Sequence, residues 1–393
     1  MSHVLRCSGY DIVKTGIVRG NDCYLYDRQG KKYVDFEAGV WCASVGHNNP
    51  RVNSAIRTQL DYITHLGYRY TNDLTEEASV EVLNTFGHPE GKCLFLSSGS
   101  EAVEFGVRVA RLLSKKPLLL TLSDSYLAAY GSAGQKTSDQ WYCFDWSVCK
   151  CCPHSEICDP QCRHLKKIPI GRVGGMVFEP GCTGGLVKFP PRGLIQNLVE
   201  MVKQNKGLVV VDEVTTGMGR TGSWYGFEHY LLQPDIVALG KGVGNGYPVS
   251  VVVMNPMVAE RLETVGFHYA QSHQNDPLPC AVAREVIRII REDGLVDRSK
   301  RMGSDFLKEL GHLVEKYDMV KEVRGRGLML ALEFHNNSKS FSLQRLFIRL
   351  FDEGFIVGYK PAAHILRFLP PLTIKEEEIE RMLDTFNNVI TQC

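Results

Sequence analysis

The stretch VVVDEVTTGMGRTGSWYGFEHYLLQPDIVALGKGVGNGYP, residues 209–248, contains two apolar runs, and a charged residue follows each of them. Asp212 ends the first run, and Lys241 comes after the second run in a loop rich in glycine. Because ligands of open parallel sheets gather at the carboxyl ends of the strands, we expect the two side chains to face one cavity. Each residue considered without the other has a more common explanation than a shared cavity. Lys241 would then be a surface lysine, and Asp212 would be a turn or helix-capping residue.

The pattern around this stretch predicts an α/β fold. Short apolar runs alternate with stretches of helical period, and the strand candidates are CLFLSSGS, PLLLTL, GGMVFE, GLVVV, DIVAL and VSVVVM. Most of them are apolar throughout, which is typical of strands that are covered on both faces. The sequence therefore predicts a mostly parallel sheet flanked by helices.

A chain of 393 residues exceeds the usual size of one hydrophobic core, so we expect a large domain and a smaller one. NDCYLYDRQGKKYVDFEAG near the start predicts a hairpin, and helices are predicted at Ser342 to Glu353 and at the chain end. We expect residues 1–55 and 300–393 to form a small α+β domain. Residues 56–299 would form the large domain, with a Cys-rich segment at 143–164.

The charge balance limits the kinds of partner. Lys and Arg number 45 and Asp and Glu number 44, which gives a net charge of +1. This balance offers no general electrostatic attraction to nucleic acid or to an anionic membrane, so we expect small-molecule partners.

The N-terminal MSHVLRCSGYDIV lacks the features of a secretory signal, and no apolar run approaches the roughly 20 residues that cross a bilayer. We expect a soluble, cytoplasmic protein.

Two phosphate-binding motifs fit the glycines poorly. Gly217-x-Gly219-x-x-Gly222 has the spacing of the dinucleotide fingerprint, but that motif needs its glycines directly after a strand and at the start of a helix. Here DEVTT intervenes and SWYGF follows. A P-loop is excluded because Lys241 is followed by glycine and not by Ser or Thr.

The quoted stretch resembles the class III, or omega, aminotransferases, which are fold-type I enzymes dependent on pyridoxal 5'-phosphate (PLP). Their signature is Asp-Glu after an apolar strand, a glycine-rich turn and a later Gly-Lys. The resemblance extends from YVDFEAGVWCASVGHNNP to LRFLPPLTI. It implies that Lys241 holds PLP in the large domain as a Schiff base and that Asp212 pairs with the pyridine nitrogen. A carboxylate there favours a cationic ring, which can accept electrons from the substrate.

The resemblance implies further cofactor contacts. In SSGSEAVEFGVRVAR, Gly99 and Ser100 would offer N–H groups and a hydroxyl to the phosphate at a helix N-terminus, although a serine N-cap would explain the same residues. Tyr126 in SDSYLAAYG would stack on the ring, and Leu127 and Ala128 replace the usual His-Gly there. The expected cofactor contacts are Ser98, Gly99, Ser100, Tyr126, Glu179, Asp212, Val214, Thr215, Lys241 and Ser272.

Other matched positions bear on assembly and reaction type. Val214 would press on the opposite ring face, and Thr215 stands where the family commonly has glutamine. Ser272 in QSHQNDPLPCAVA matches a Thr that reaches the phosphate of the neighbouring subunit, which implies a homodimer with shared active sites.

NDPLP and REDGLV also resemble the dialkylglycine decarboxylase branch. Val40 replaces the pocket glutamine of that branch, which argues against decarboxylation.

Arg367 in LRFLPPL matches the family arginine that binds the substrate carboxylate through a bidentate pair, although a surface arginine at a strand end is the alternative. In the glutamate-using branch, a glutamate of the Glu-Pro-x-x-Gly-Glu segment covers this arginine. Here that segment is EPGCTGG and lacks the covering glutamate. We therefore expect Arg367 to be permanently open to carboxylates and Trp41 to line the substrate pocket.

A group of cysteines stands apart from these motifs. CKCCPHSEICDPQC supplies Cys149, Cys152, Cys158 and Cys162, with Cys151, His154 and His164 nearby. Four thiolates at such spacing suit a structural zinc ion or an iron–sulfur cluster. A disulfide-bonded loop and simply buried thiols are the alternatives.

These motifs together predict a PLP-dependent aminotransferase with Lys241 and Asp212 as catalytic residues. It would move an amino group from an amine or amino acid, omega-amino compounds included, to a 2-keto acid such as pyruvate or 2-oxoglutarate. The alternatives are a PLP-dependent lyase, racemase or decarboxylase on the same fold, and a non-catalytic metal-binding scaffold. Retention of Lys241, Asp212, Ser100 and Arg367 argues against the scaffold.

Overall fold

The computed structural model of the chain describes residues 3–5, 7, 9, 10, 12–87, 89–149, 152, 157–181, 184–336 and 341–393. The strands are β1 (Ile17–Asn21), β2 (Tyr24–Asp27), β3 (Lys32–Asp35), β4 (Lys92–Leu96), β5 (Leu118–Leu122), β6 (Trp141–Phe144), β7 (Val173–Phe178), β8 (Leu208–Asp212), β9 (Ile236–Leu239), β10 (Ser250–Met254), β11 (Val320–Arg326), β12 (Met329–Phe334), β13 (Phe355–Ile356), β14 (Gly358–Lys360) and β15 (Ile365–Phe368). The helices are α1 (Ala38–Trp41), α2 (Pro50–Leu60), α3 (Asp73–Phe86), α4 (Gly99–Ser114), α5 (Gly131–Gln135), α6 (Arg192–Gln204), α7 (Pro256–Thr264), α8 (Pro277–Glu292), α9 (Leu295–Lys316), α10 (Leu343–Asp352) and α11 (Glu376–Ile390).

A seven-stranded sheet forms the centre of the protein, in the order β4-β10-β9-β8-β7-β5-β6. Strand β10 is antiparallel to both of its neighbours, and the pairs from β9 to β6 are parallel. The apolar runs that predicted strands form β5, β7, β8, β9 and β10, which are buried along their whole length. The predicted α/β fold with a mostly parallel sheet is confirmed.

Helix α4 begins directly beyond β4 because a serine caps it. Ser98 has an extended backbone, and its hydroxyl accepts a hydrogen bond from the Glu101 N–H at 3.3 Å. One face of the helix is buried, and it includes Gly106, where an added Cβ would lie 2.7 Å from a methyl of Val210 in β8. This packing fixes the helix N-terminus beside the carboxyl edge of the sheet.

Two smaller sheets are built from the end segments of the chain, and the first of them combines both ends. The first has the order β1-β2-β3-β13, and the second has the order β11-β12-β15-β14. Strand β13 pairs in parallel with β3, which joins the N-terminal hairpin to the C-terminal part. Tyr24 also donates a hydrogen bond to Glu378 of α11 at 2.8 Å. The division at residues 55/56 and 299/300 stays a prediction, and α9 runs across the second boundary.

A contact between these two ends positions part of the site. The Leu369 N–H, just after β15, donates to the carbonyl of Phe36, just after β3, at 2.7 Å. The rings of Phe36, Phe306 and Phe368 pack together beneath this contact, with centroids 5.4–6.2 Å apart. The segment that follows β3 is therefore held beside β15.

That segment is α1, a single left-handed turn. Its residues Ala38, Gly39, Val40 and Trp41 have φ from +46° to +69°. The Asp35 carboxylate stabilises this uncommon conformation by accepting hydrogen bonds from the Glu37 and Gly39 N–H groups at 2.8 and 2.9 Å.

Among the described residues, no helix has both the length and the apolar character that a bilayer span requires.

Candidate functional site

Three polar side chains lie at the carboxyl edge of the central sheet. Glu179 directly follows β7, Asp212 ends β8, and Lys241 lies just beyond β9. Because β7, β8 and β9 are parallel neighbours, their carboxyl ends meet at the same edge. The structure thus brings Glu179, Asp212 and Lys241 to one place.

The Lys241 amine is held by two contacts. Its Nζ donates a hydrogen bond to Thr215 Oγ1 at 2.6 Å and lies 4.6 Å from the ring centre of Trp41. Its backbone has φ +42°, which is uncommon outside glycine and is a feature of functional sites. Burial lowers the pKa of Lys241, and the negative charges of Asp212 and Glu179 oppose that shift. The amine is therefore closer to its neutral, nucleophilic form than an exposed lysine is.

The Asp212 carboxylate is only 4% exposed. One of its oxygens accepts a hydrogen bond from the Val214 N–H at 3.0 Å. Burial raises the pKa of Asp212, while that N–H and the charge of Lys241 oppose the increase. A buried carboxylate of this kind is stabilised in its ionised form by a cationic N–H group placed beside it.

The loop after β8 meets the start of α4. A Cβ added to Gly99 would lie 2.7 Å from Val214 Cγ1, and one added to Gly240 would lie 3.0 Å from the same atom. These glycines are therefore required for close packing, and they bring the α4 N-terminus against the loops that carry Val214 and Lys241. Ser98 caps the helix, and Ser100 Oγ accepts a hydrogen bond from the Ala129 N–H at 2.9 Å.

The segment after β5 lies beside Glu179. The Tyr126 N–H donates to Glu179 Oε2 at 2.9 Å, and the Tyr126 side chain is 52% exposed. Leu127 and Ala128, which replace the family's His-Gly, are both buried. The tyrosine is thus anchored through its backbone, and its ring remains accessible to a ligand.

Arg367 and Trp41 form a second part of the site. The Arg367 guanidinium carbon lies 5.0 Å from the ring centre of Trp41, and the whole residue is 8% exposed. The same indole ring has its centre 4.6 Å from Lys241 Nζ. One aromatic ring therefore links the amine to the guanidinium.

The expectation that Arg367 is permanently open is wrong. Its Nη2 donates to Glu37 Oε2 at 3.1 Å, and the two side chains are 10% and 13% exposed. The covering carboxylate comes from the N-terminal segment, which the Phe36–Leu369 contact holds beside β15. In the segment EPGCTGG, Cys182 and Thr183 lie outside the described residues.

Sequence reasoning missed Glu37 and Glu213. Glu37 lies in DFEAG, where an acidic residue between Phe36 and Ala38 was the available signal. Glu213 is 1% exposed and accepts hydrogen bonds from the Gly226 N–H at 2.8 Å, the Phe227 N–H at 2.7 Å and the Thr216 hydroxyl at 2.6 Å. It fixes the loop that follows Asp212 and carries Val214.

Two residues of the sequence analysis lie at the protein surface. Ser272 is exposed, and Val40 is 63% exposed. Neither has a hydrogen bond to the Lys241 cluster within the described ranges. The role predicted for Ser272 involves a second subunit, so it stays a prediction.

The four cysteines are partly buried free thiols. Burial raises the pKa of Cys149 to about 11, and the charges of Cys158, Cys152 and Cys162 add to the increase. In the part of the chain that the structure describes, the compact set of possible metal ligands is His65, His273 and Asp276, and the four sulfur atoms do not form such a set. Cys151 and His154 lie outside the described residues.

Comparison with known proteins identifies related sequences over nearly the whole chain. The family model for class III aminotransferases matches residues 8–133 and 144–390. The acetylornithine aminotransferase of Methanothermobacter thermautotrophicus is 30% identical over 387 residues, which covers 95% of this chain and 93% of the relative. A leucine/methionine racemase of Thermococcus litoralis is 28% identical over 403 residues and covers 95% and 90% of the two chains.

A solved structure shows the same fold. The ornithine aminotransferase of Toxoplasma gondii, crystallised in the presence of oxidised glutathione and with partial occupancy of PLP at its active site, superposes with a TM-score of 0.82. It is 26% identical and covers 98% of this chain and 93% of its own.

Proposed function

The chain belongs to the class III aminotransferases, and we propose that it transfers an amino group from an amine or amino acid to a 2-keto acid such as pyruvate or 2-oxoglutarate. Omega-amino compounds are the favoured donors, because relatives along the whole chain are named acetylornithine aminotransferases. The carboxylate of the keto acid would bind Arg367.

One observation carries the proposal: the Trp41 ring lies 4.6 Å from Lys241 Nζ and 5.0 Å from the Arg367 guanidinium. In a 2-keto acid, the carbon that receives the amino group is bonded directly to the carboxylate. A reactive amine and a carboxylate-binding cation must therefore lie close together, and the single indole ring provides that spacing.

The residues present fit PLP. The buried Asp212 carboxylate is suited to a cationic ring nitrogen, and the α4 N-terminus at Gly99 and Ser100 offers N–H groups to a phosphate. Val214 and Tyr126 are placed on loops beside these groups and would contact the two ring faces. When bound, the cofactor supplies an aldehyde that takes up amino groups and a ring that accepts electrons from the neighbouring carbon.

The residues of this chain would act as follows. Lys241 would hold the cofactor covalently until the substrate amine displaces its Nζ, and the freed Nζ would then take and return the proton of the substrate's reacting carbon. Thr215 would orient that Nζ through its hydroxyl. Asp212 would keep the ring nitrogen protonated, and Arg367 with Trp41 would orient the substrate carboxylate.

We propose a homodimer with shared active sites, in which Ser272 reaches the phosphate of the other subunit. Exposed aromatic side chains support an apolar interface: Tyr62, Tyr68 and Tyr70 are 80%, 58% and 74% exposed within one short segment. A cytoplasmic location and a structural zinc or iron–sulfur site at Cys149, Cys152, Cys158 and Cys162 are further proposals.

A racemase is the second candidate, because one relative along nearly the whole chain is a leucine/methionine racemase. The two reactions differ in their need for a keto acid. A racemase converts one enantiomer of an amino acid into the other without an acceptor, whereas amino transfer stops after one turnover when the acceptor is omitted.

The test is a donor panel with the purified holoenzyme. N-acetylornithine, ornithine and simple amines would be supplied with pyruvate or 2-oxoglutarate, and the alanine or glutamate formed would be measured. We expect formation that depends on the donor and is abolished in Lys241→Ala. Racemisation of an amino acid without any transfer to either acceptor would overturn the proposal.

A further inference from the structure

Two histidines and a buried aspartate, none of them part of the Lys241 site, lie together near the start of α8. Nδ1 of His65 lies 2.8 Å from Asp276 Oδ1, and Nδ1 of His273 lies 2.7 Å from Asp276 Oδ2. The ligand atoms that the three residues offer all lie within 4.8 Å of one another. Within the described ranges, this is the one set of three possible metal ligands so close together.

The Asp276 carboxylate is directed at the two histidines and not at its own helix. Asp276 is the N-cap residue of α8, and an N-cap aspartate usually accepts hydrogen bonds from the first helical N–H groups. Its side chain makes no such bond, whereas the side chains of Asn72 and Asn255 cap α3 and α7 in that way. Both oxygens of this buried carboxylate therefore serve the imidazoles.

Hydrogen bonds hold the backbone on both sides of this contact. The N–H of Asn275 donates to the Phe95 carbonyl, and Asn275 Oδ1 accepts from the Phe95 N–H, both at 2.9 Å. The Leu66 N–H, next to His65, donates to Asp276 Oδ1 at 3.3 Å. The carboxylate is thus fixed against β4, and a further bond orients the segment that carries the first histidine.

The histidine side chains are the adjustable part of the set. His65 and His273 are 49% and 63% exposed, and their ring centres lie 5.0 Å apart. Ligand atoms on a tetrahedral zinc ion lie about 3.4 Å apart, because each bond to the ion is about 2.0–2.2 Å long. The nitrogen–oxygen distances of 2.7 and 2.8 Å must therefore widen by about 0.6 Å, and exposed imidazoles can do this by rotating.

The donor atoms select the class of ion. Two imidazole nitrogens and one carboxylate oxygen suit zinc and related transition-metal ions, whereas Mg²⁺ and Ca²⁺ prefer oxygen ligands. Each imidazole would bind in its neutral form, with the proton on Nε2 and the lone pair of Nδ1 directed at the ion. Three protein ligands leave the fourth position of a tetrahedral ion to water.

From this geometry we propose that His65, His273 and Asp276 form a binding site for a divalent transition-metal ion, with zinc as the best fit. The ion would join the segment between α2 and α3 to the turn before α8. Ser272 directly precedes His273, so the ion would also fix the backbone that carries this serine. The inference does not rest on the proposed amino transfer, because it concerns side chains that the transfer does not use.

The test is a calorimetric titration of the holoenzyme with zinc chloride, after a chelator has been added and dialysed away. Wild type is compared with His65→Gln, His273→Gln and His312→Gln. The last variant is the matched control, because His312 is an exposed histidine on α9 that lies 3.4 Å from Glu309.

We expect His65→Gln and His273→Gln to bind zinc at least about a hundredfold more weakly at this site, because loss of even an outer partner of a metal ligand typically costs about 10- to 100-fold. His312→Gln should bind zinc as wild type does. Both replaced histidines are exposed, so the variants should fold, and circular dichroism checks this.

A second measurement separates this site from the cysteines. Cys158→Ser interrupts the cysteine set and leaves the three proposed ligands intact. X-ray absorption of this variant, loaded with one equivalent of zinc, should give zinc–nitrogen and zinc–oxygen distances of about 2.0–2.2 Å and no sulfur at about 2.3 Å. Sulfur at that distance would place the ion on the remaining cysteines and would overturn the inference.

Equal zinc affinity and stoichiometry in wild type, His65→Gln and His273→Gln would also overturn it. Zinc binding is measured without any substrate, so a negative result leaves the proposed amino transfer standing. Conversely, a wild type that converts no amino donor contradicts the proposed function and leaves the zinc measurements valid.

Discussion

Removing Arg367 should expose the cost of burying Glu37. At an effective dielectric constant of about 20, unit charges 3.1 Å apart attract by about 5 kcal/mol. The cost of dehydrating both groups offsets part of this attraction, but a buried charge left without its partner typically costs about 3–5 kcal/mol. The weak values measured for surface pairs do not apply, because the side chains are 10% and 13% exposed. We therefore expect Arg367→Gln to lower the free energy of unfolding by about 3 kcal/mol at neutral pH.

The loss should depend on pH. Burial raises the pKa of Glu37 above its ordinary value, and the charge of Arg367 is the largest influence that opposes the increase. Without Arg367 the folded-state pKa rises further, while the unfolded-state value stays the same. A carboxylate with a raised folded-state pKa loses stability as the pH rises from the unfolded-state pKa through the folded-state pKa. The cost of Arg367→Gln should therefore be small near about pH 4 and should grow toward about pH 8.

Urea unfolding of the apoprotein at the two pH values measures this cost, and a double-mutant cycle with Glu37→Gln isolates the pair. We expect a coupling energy of about 2 kcal/mol at the higher pH, because the double variant has no unpaired buried charge. A coupling energy below about 0.5 kcal/mol, or a cost that does not change with pH, would refute the reasoning.

Three other predictions follow from the site. Asp212→Asn keeps the shape of the side chain and removes its charge, so kcat should fall on the order of a hundredfold, and a fall of less than about threefold would contradict the assigned role. Gly99→Ala places a Cβ 2.7 Å from Val214 Cγ1, which is too close for two carbon atoms, so the α4 N-terminus and the Val214 loop must move apart. Because both segments are proposed to contact PLP, its Kd measured by equilibrium dialysis should rise. An unchanged Kd would argue against close packing there. If Cys149, Cys152, Cys158 and Cys162 hold zinc, mass spectrometry of the purified wild-type protein should find about one zinc ion per chain. The Cys158→Ser variant should have lost this zinc ion. A metal-free wild type would show the prediction wrong.

The central sheet was predictable because its strands are buried on both faces. Runs such as Val209 to Val211 and Val251 to Val253 are apolar without alternation, and the structure places both in the sheet. Helix α10 was equally predictable: it runs from Leu343 to Asp352, and the Ser342 hydroxyl accepts a hydrogen bond from the Arg345 N–H at its start. In both cases the signal lies within a few neighbouring residues.

The contact of the Glu37 carboxylate with Arg367 could not be predicted in this way. Glu37 and Arg367 are 330 residues apart in the sequence, and they meet because β13 pairs with β3 and the Leu369 N–H binds the Phe36 carbonyl. Periodicity within one segment contains no information on such a contact. A family motif directs attention to EPGCTGG, whereas in this chain the carboxylate comes from DFEAG.

The most direct test of the account is to find the lysine that carries the cofactor. Holoenzyme treated with borohydride would be digested, and the peptide bearing the reduced pyridoxyl group would be identified by mass spectrometry. The account predicts one modified peptide containing Lys241, and none in Lys241→Ala. A modification at another lysine, or no modification in a PLP-saturated protein, would contradict it.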